Sequence, residues 1–342
     1  MIEGTEVTGA AGVTGTAGAA GTAGAARTAG AARALGAAKQ PDPPEADAVV
    51  RLRLDLAYDG TDFAGWARQP SQRTVQGELE TALATVFRKY GAGPTLTVAG
   101  RTDIGVHALG QVAHLELSAA QFASLDRPHR GGTAPKSLGP DALTRRLNGI
   151  AGLKSDVVVT RTTLAPAGFD ARFSALWRRY EYRIADVPAL RDPRRRSHTL
   201  WHPALLDVEA MDAAAHSLLG LHDFAAFCQP RPGATTVRTL QDFGWRRDSD
   251  GVLIATVVAD AFCRSMVRAL VGACVAVGER RLALPRVPRI RDEAVRGSEF
   301  IVMPARGLTL VEVGYPEDAA LASRARLTRQ RRSPFEKADV VD

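Results

Sequence analysis

The spacing of apolar residues changes several times along the chain, and each change marks an element. Over residues 50–58 apolar and mostly charged positions alternate, the period of two expected of a half-buried strand, and Asp59-Gly60 closes it as a turn. After Thr74, the residues Val75, Leu79, Leu83, Val86 and Phe87 recur near spacings of three and four, predicting a helix with one apolar stripe that packs on the sheet. Strand-like runs at 95–99 and 111–117 then flank a glycine-bounded turn. From 118 to 140 the periodicity is lost and Gly, Pro and basic residues accumulate, predicting a mobile excursion rather than a core element. A short helix at 141–148 and a strand at 156–161 follow.

The second half repeats the theme. Residues 178–184 predict a strand on which Tyr180, Tyr182 and Ile184 share one face. A basic, Pro-containing loop at 191–196 precedes a helix at 204–219 that ends at Gly220. Strands at 237–247 and 252–260 lead to a helix at 265–277 striped with Met266, Leu270, Cys274 and Val277. A helix near 289–296 and a strand at 308–313 complete the pattern. Two α+β halves in succession imply an α+β fold: a pseudo-repeat around a mixed or antiparallel sheet, with helices packed on it and a basic central cleft between the halves. The expected boundaries are a disordered extension at 1–47, an N-terminal half at 48–162, a C-terminal half at 163–316 and a basic, flexible tail at 317–342.

Composition sharpens this outline. Residues 1–47 are nearly all Ala, Gly and Thr in near-repeats, with too little bulky apolar surface to offset the entropy of ordering. They lack the basic start and continuous apolar block of a signal peptide. No run approaches the roughly eighteen apolar residues of a membrane span, so a soluble protein is expected. The whole chain carries a formal net charge of +7, yet the extension holds three basic and five acidic residues, which leaves 41 Lys plus Arg against 32 Asp plus Glu in the body. Most of those cations are arginines, whose planar donors suit phosphate, so nucleic acid leads as partner class. A coding bias toward arginine would leave the same mark. The three cysteines, Cys228, Cys263 and Cys274, fit neither a disulfide framework nor a metal knuckle, and the simple expectation is a reduced, cytoplasmic, metal-free protein. His107 and His114 have no second ligand at metal-site spacing.

Chemistry concentrates in the turn at 100–108, which reads Gly-Arg-Thr-Asp-Ile-Gly-Val-His-Ala. Thr-Asp-Xaa-Gly is ordinary turn chemistry in itself. Arg101 and His107 add to it, since an arginine two residues before Asp103 can keep that carboxylate ionised, the state a nucleophile requires. Tyr180 inside an arginine cluster suits base stacking with phosphate contacts; a core tyrosine beside a solvated arginine face reads the same way. Arg268 lies off the apolar stripe of its helix and is either aimed at a cleft or simply exposed. The arginines at 324, 326, 329, 331 and 332 make a basic end that either touches RNA or is solvated.

Together these segments resemble the TruA family, the tRNA pseudouridine synthases A. The likeness rests on Tyr58-Asp59-Gly60 with Gly65-Trp66, Thr74-Val75-Gln76, the stretch from Gly100 to Gln111, Phe169 to Ser174 with Arg178-Arg179-Tyr180, Ala261-Phe262 with Met266-Val267-Arg268 and Val271-Gly272, and Gly307-Leu308 with Leu310. Each motif is weak alone, whereas six in order over about 250 residues are specific. The resemblance implies the pseudouridine synthase fold, with Asp103 as catalytic nucleophile, Arg268 pairing with that carboxylate, and Tyr180 against the target uridine. It further implies Arg101 and His107 near the flipped nucleotide, Leu308 packing on the base from another side, and Arg178 and Arg179 as substrate-binding. An isomerisation of uridine to pseudouridine at positions 38, 39 and 40 of the tRNA anticodon stem-loop would need no cofactor. A homodimer with tRNA lying across both subunits is implied as well. The alternative is a catalytically inactive tRNA-binding protein of the same fold. Three features depart from the family pattern: Ile104 stands where Ala is usual, the 118–140 segment is long, and the Ala-Gly extension is extra.

Overall fold

The computed structural model describes residues 49–126 and 138–329; the 1–47 extension and the last 13 residues of the basic end, 330–342, therefore lie outside the described residues. The elements in order are β1 (Val49–Tyr58), α1 (Val75–Phe87), β2 (Thr97–Val98), β3 (His107–Ser118), α2 (Ala119–Ala123), α3 (Gly139–Ala151), β4 (Val157–Leu164), β5 (Trp177–Ala185), β6 (Leu200–Trp201), α4 (Val208–His216), β7 (Gly220–Asp223), β8 (Val237–Arg247), β9 (Leu253–Ala259), α5 (Met266–Gly278), α6 (Arg286–Glu293), β10 (Leu308–Gly314) and α7 (Leu321–Arg329).

One mixed sheet of ten strands runs through both halves in the order β4-β1-β3-β10-β5-β9-β8-β7, with β2 beside β3 and β6 beside β5. Strand β10, the last among the described residues, lies in its middle, parallel to β3 and antiparallel to β5. Alternation makes each strand two-sided. Leu52, Leu54, Leu56 and Tyr58 of β1, Tyr180, Tyr182 and Ile184 of β5, and Phe243 and Trp245 of β8 are buried, and they join a single apolar core. The helices complete it: α3 packs on β4 and α1, and α4 packs on β8 and α5. Helix α1 follows the predicted stripe, with Val75, Leu79, Leu83 and Phe87 buried and the Thr74 hydroxyl accepting the Gly77 N–H at 3.2 Å. Such a cap stabilises a helix by about 1 kcal/mol. Helix α5 is different, because every residue in it except Arg268 is buried, as expected of a helix apolar all round.

Several expectations need correction. The excursion expected from 118 is ordered at its start: Ser118 and Gln121 form a reciprocal capping box that opens α2, and Leu125 beyond it is fully buried. Residues 127–137 lie outside the described residues. Helix α3 begins before 141 and ends at Gly152, which has a φ of +83°. Helix α4 is shorter than 204–219, starting where the Asp207 carboxylate caps the Ala210 N–H. The stretch given as a flexible tail is helical from Leu321 to Arg329 and docks through buried Leu321 and Ala325. The expectation of fully reduced cysteines also fails. Cys228 and Cys263 form a disulfide, with Cα atoms 5.7 Å apart, where the Gln229 N–H donates to the Arg264 carbonyl at 2.9 Å and joins their segments.

Candidate active site

Asp103 sits on the turn between β2 and β3, and backbone contacts hold that turn from outside. The Trp66 N–H donates to the Thr102 carbonyl at 3.0 Å, and the Gly105 N–H to the Phe63 carbonyl at 3.3 Å; within the turn, the Val106 N–H closes on the Asp103 carbonyl at 3.2 Å. This approach needs glycine. Gly65 has a φ of +94°, and a Cβ there would lie 2.9 Å from the Thr102 oxygen; at Gly60 it would lie 2.0 Å from the Val106 oxygen. Both glycines belong to the motifs singled out in the sequence, and their part in bracing the turn becomes visible only in the fold.

Beneath the turn lies a buried polar chain. The Tyr58 hydroxyl and Thr102 Oγ1 are 2.8 Å apart, while Gln111 Nε2 donates to the Tyr58 oxygen at 3.1 Å and to the Gly100 carbonyl at 2.9 Å. Burial pushes the Tyr58 phenol up to about 12, only partly countered by the bonds to Thr102 and Gln111, so it is a neutral strut. Sequence reasoning gave Thr102 and Gln111 no role. Ile104 raises no steric conflict with Asp103, since it projects into solvent at 64% exposure.

The fold brings Tyr180 and Leu308 to this turn. In the register of β5 and β10, Leu308 pairs with Tyr182 and Leu310 with Tyr180, so all four side chains share one face. Tyr180 is only 7% exposed, with the Phe262 ring edge-on at 5.1 Å. Its phenol is pushed well above the usual range, first by burial, with smaller contributions from Tyr58 and Asp103 that the Arg178 charge opposes.

The other expected residues fall into different places. Arg268, on the first turn of α5, donates from Nε to the Met303 carbonyl at 2.5 Å, and the Met303 N–H returns a bond to the Arg268 carbonyl at 3.1 Å. It makes no ion pair with Asp103. Arg178 is 8% exposed, and its two Nη atoms donate to the carbonyls of Asp260 (2.7 Å), Ala99 (2.8 Å) and Arg172 (2.9 Å). Arg179 follows it on the opposite face and pairs with Glu312. His107 begins β3 and pairs in register with Thr309, itself opposite Glu181, which places it on the face away from Tyr180. There its Nδ1 accepts the Gly60 N–H at 3.0 Å. Arg101 is exposed at the mouth of the turn. Among the described residues there is no cluster of His, Cys, Asp and Glu that could hold a metal ion, and no helix long and apolar enough to cross a membrane.

An α+β body with one large mixed sheet, carrying an aspartate on a braced turn beside a buried tyrosine, agrees with the fold class expected from the motifs. A family model described as tRNA pseudouridine synthase matches residues 214–316. Relatives named tRNA pseudouridine synthase A include one from Leifsonia xyli, 64% identical over 287 residues that cover 84% of this chain and 99% of that protein. Others come from Streptomyces griseus, 52% identical over 83% of this chain and 94% of that protein, and from Mycobacterium leprae, 49% identical over 86% and 99%. The chain belongs to the tRNA pseudouridine synthase A family.

Proposed function

We infer that this protein isomerises uridine to pseudouridine in tRNA, with Asp103 as nucleophile. The observation that carries the reading is the placement of Asp103 on a turn braced by backbone bonds to the 63–66 segment and by the buried Tyr58, Thr102 and Gln111 chain, in a chain that belongs to this family. The reaction breaks the N1–C1′ bond of uridine, turns the base and joins C5 to C1′; the C5 proton is lost and N1 gains one. The sum is redox-neutral and moves no external group, so it calls for no cofactor. An ionised carboxylate serves either by attacking C1′ or by taking the C2′ proton to give a glycal. Both routes need the uridine out of its stack, at a cost of about a few kcal/mol that stacking and phosphate contacts offset.

In this reading Tyr180 and Leu308 border the base, and Arg101 and Arg268 supply positive charge around the carboxylate once RNA is bound. The proposed targets are positions 38, 39 and 40 of the anticodon stem-loop, recognised through shape and backbone more than base edges. A basic cleft between the halves at 48–162 and 163–316, a homodimer carrying tRNA across both subunits, and a cytoplasmic setting belong to the same proposal. In a thiol-reducing compartment the Cys228–Cys263 bond would be opened.

Tritium release tests the activity. Wild-type protein given tRNA labelled at uridine C5 should release tritium and leave pseudouridine at 38–40; tRNA binding without release would favour an inactive binding protein instead.

A further inference from the structure

We propose that Arg178 is a positioning residue, the tie that holds the Asp103 turn against the Tyr180 platform, and that it does not contact RNA. The proposal rests on the reading of Asp103 as nucleophile given above. Three carbonyls meet one guanidinium, and each belongs to a different part of the site. Ala99 immediately precedes the 100–105 turn, Asp260 lies two residues before Phe262, the ring against Tyr180, and Arg172 belongs to the Phe169 to Ser174 motif. Arg178 itself stands two residues before Tyr180, on the same face of β5. One side chain therefore sets the distance between segments far apart in sequence.

The chemistry of the group fits this task. Arginine presents donors in a rigid planar fork, and here one Nη takes one carbonyl while the other takes two. The direct partners of the Arg178 guanidinium are the three carbonyls, with the Asp260 charge acting on it as well. Burial acts to lower its pKa, although a guanidinium stays protonated in a protein. A buried cation is a poor way to gain stability. Its use is geometric: a lysine offers three donors from one point and cannot span the same three acceptors.

Arg178→Lys tests the proposal on the full chain. In single-turnover tritium release at saturating enzyme the rate should fall about 10- to 100-fold, the loss expected when a nucleophile is displaced by around an ångström. The tRNA dissociation constant should stay within about threefold, because phosphate contacts that set affinity are made elsewhere. Amide hydrogen exchange should quicken at 99–105, 169–174 and 260–262 and nowhere else, whereas a general loss of stability would quicken it throughout the sheet. Weakened tRNA binding with the saturated rate retained would overturn the proposal, as would unchanged rate and exchange together. Should the variant fail to fold, the wild type decides. Its Arg178 guanidinium protons should exchange slowly without tRNA; exchange that becomes slow only on adding tRNA would make Arg178 an RNA contact. Affinity and exchange are read without turnover, so failure of this proposal is distinguishable from failure of the activity reading.

Discussion

Asp103 and Tyr180 belong to one proposed site, yet its two sides are held by unlike means. On the Asp103 side the chain relies on backbone bonds from Trp66 and Gly105, on glycines that admit close approach, and on the buried Tyr58, Thr102 and Gln111 chain. On the Tyr180 side it relies on volume: a ring against Phe262, a strand between β9 and β10, and α5 buried on nearly all sides. Hydrogen bonds fix direction and tolerate little added bulk. Packing fixes position and tolerates little loss of bulk. The nucleophile needs direction, and the aromatic surface needs a firm backing.

That contrast can be broken at three points, in falling order of effect. Asp103→Asn keeps the shape and loses the nucleophile, so tritium release should drop by about a thousandfold or more while tRNA affinity stays within several-fold in a filter-binding assay; retained turnover would end the assignment. Gly65→Ala places a Cβ against the Thr102 carbonyl at a positive φ. It should slow the saturated rate about 10- to 100-fold by shifting the turn and lower the thermal unfolding midpoint by about a few degrees; a normal rate would mean that the close approach is not needed. Tyr180→Ala removes volume and should cost about 3–5 kcal/mol of stability in denaturant unfolding, whereas Tyr180→Phe keeps the ring and should stay close to wild type in both stability and rate. Equal loss of rate in the two variants would shift the role from the ring to the hydroxyl.

Much of this was legible in the spacing of residues. The stripe on α1, the alternation of β1 and β5 and the apolar run of α5 predicted their elements because each is long enough for its period to repeat. Strands β6 and β7, of two and four residues, are too short to show a period and exist because neighbouring strands offer them partners. The turn at 100–108 marked the site, but sequence did not reveal that its last two residues already belong to β3, which carries His107 to the other face of the sheet. Alternation along β5 does place Arg178 with Tyr180 and Arg179 opposite. What it could not tell was that the buried neighbours of Arg178 are carbonyls from three distant segments. The pairing of Cys228 with Cys263 is of the same kind, a product of tertiary contact between loops.

The position of β10 bears on the order in which the molecule can come together. Among the described residues β3 and β5 are joined in the sheet through it, and it follows every other described strand in the chain. As the chain leaves the ribosome, the strands that carry the Asp103 turn and the Tyr180 platform are complete while the seam between them is still missing. The register between the strand that follows the Asp103 turn and the strand that carries Tyr180 is set across residues 308–314, so a competent site is expected only once that strand has joined the sheet.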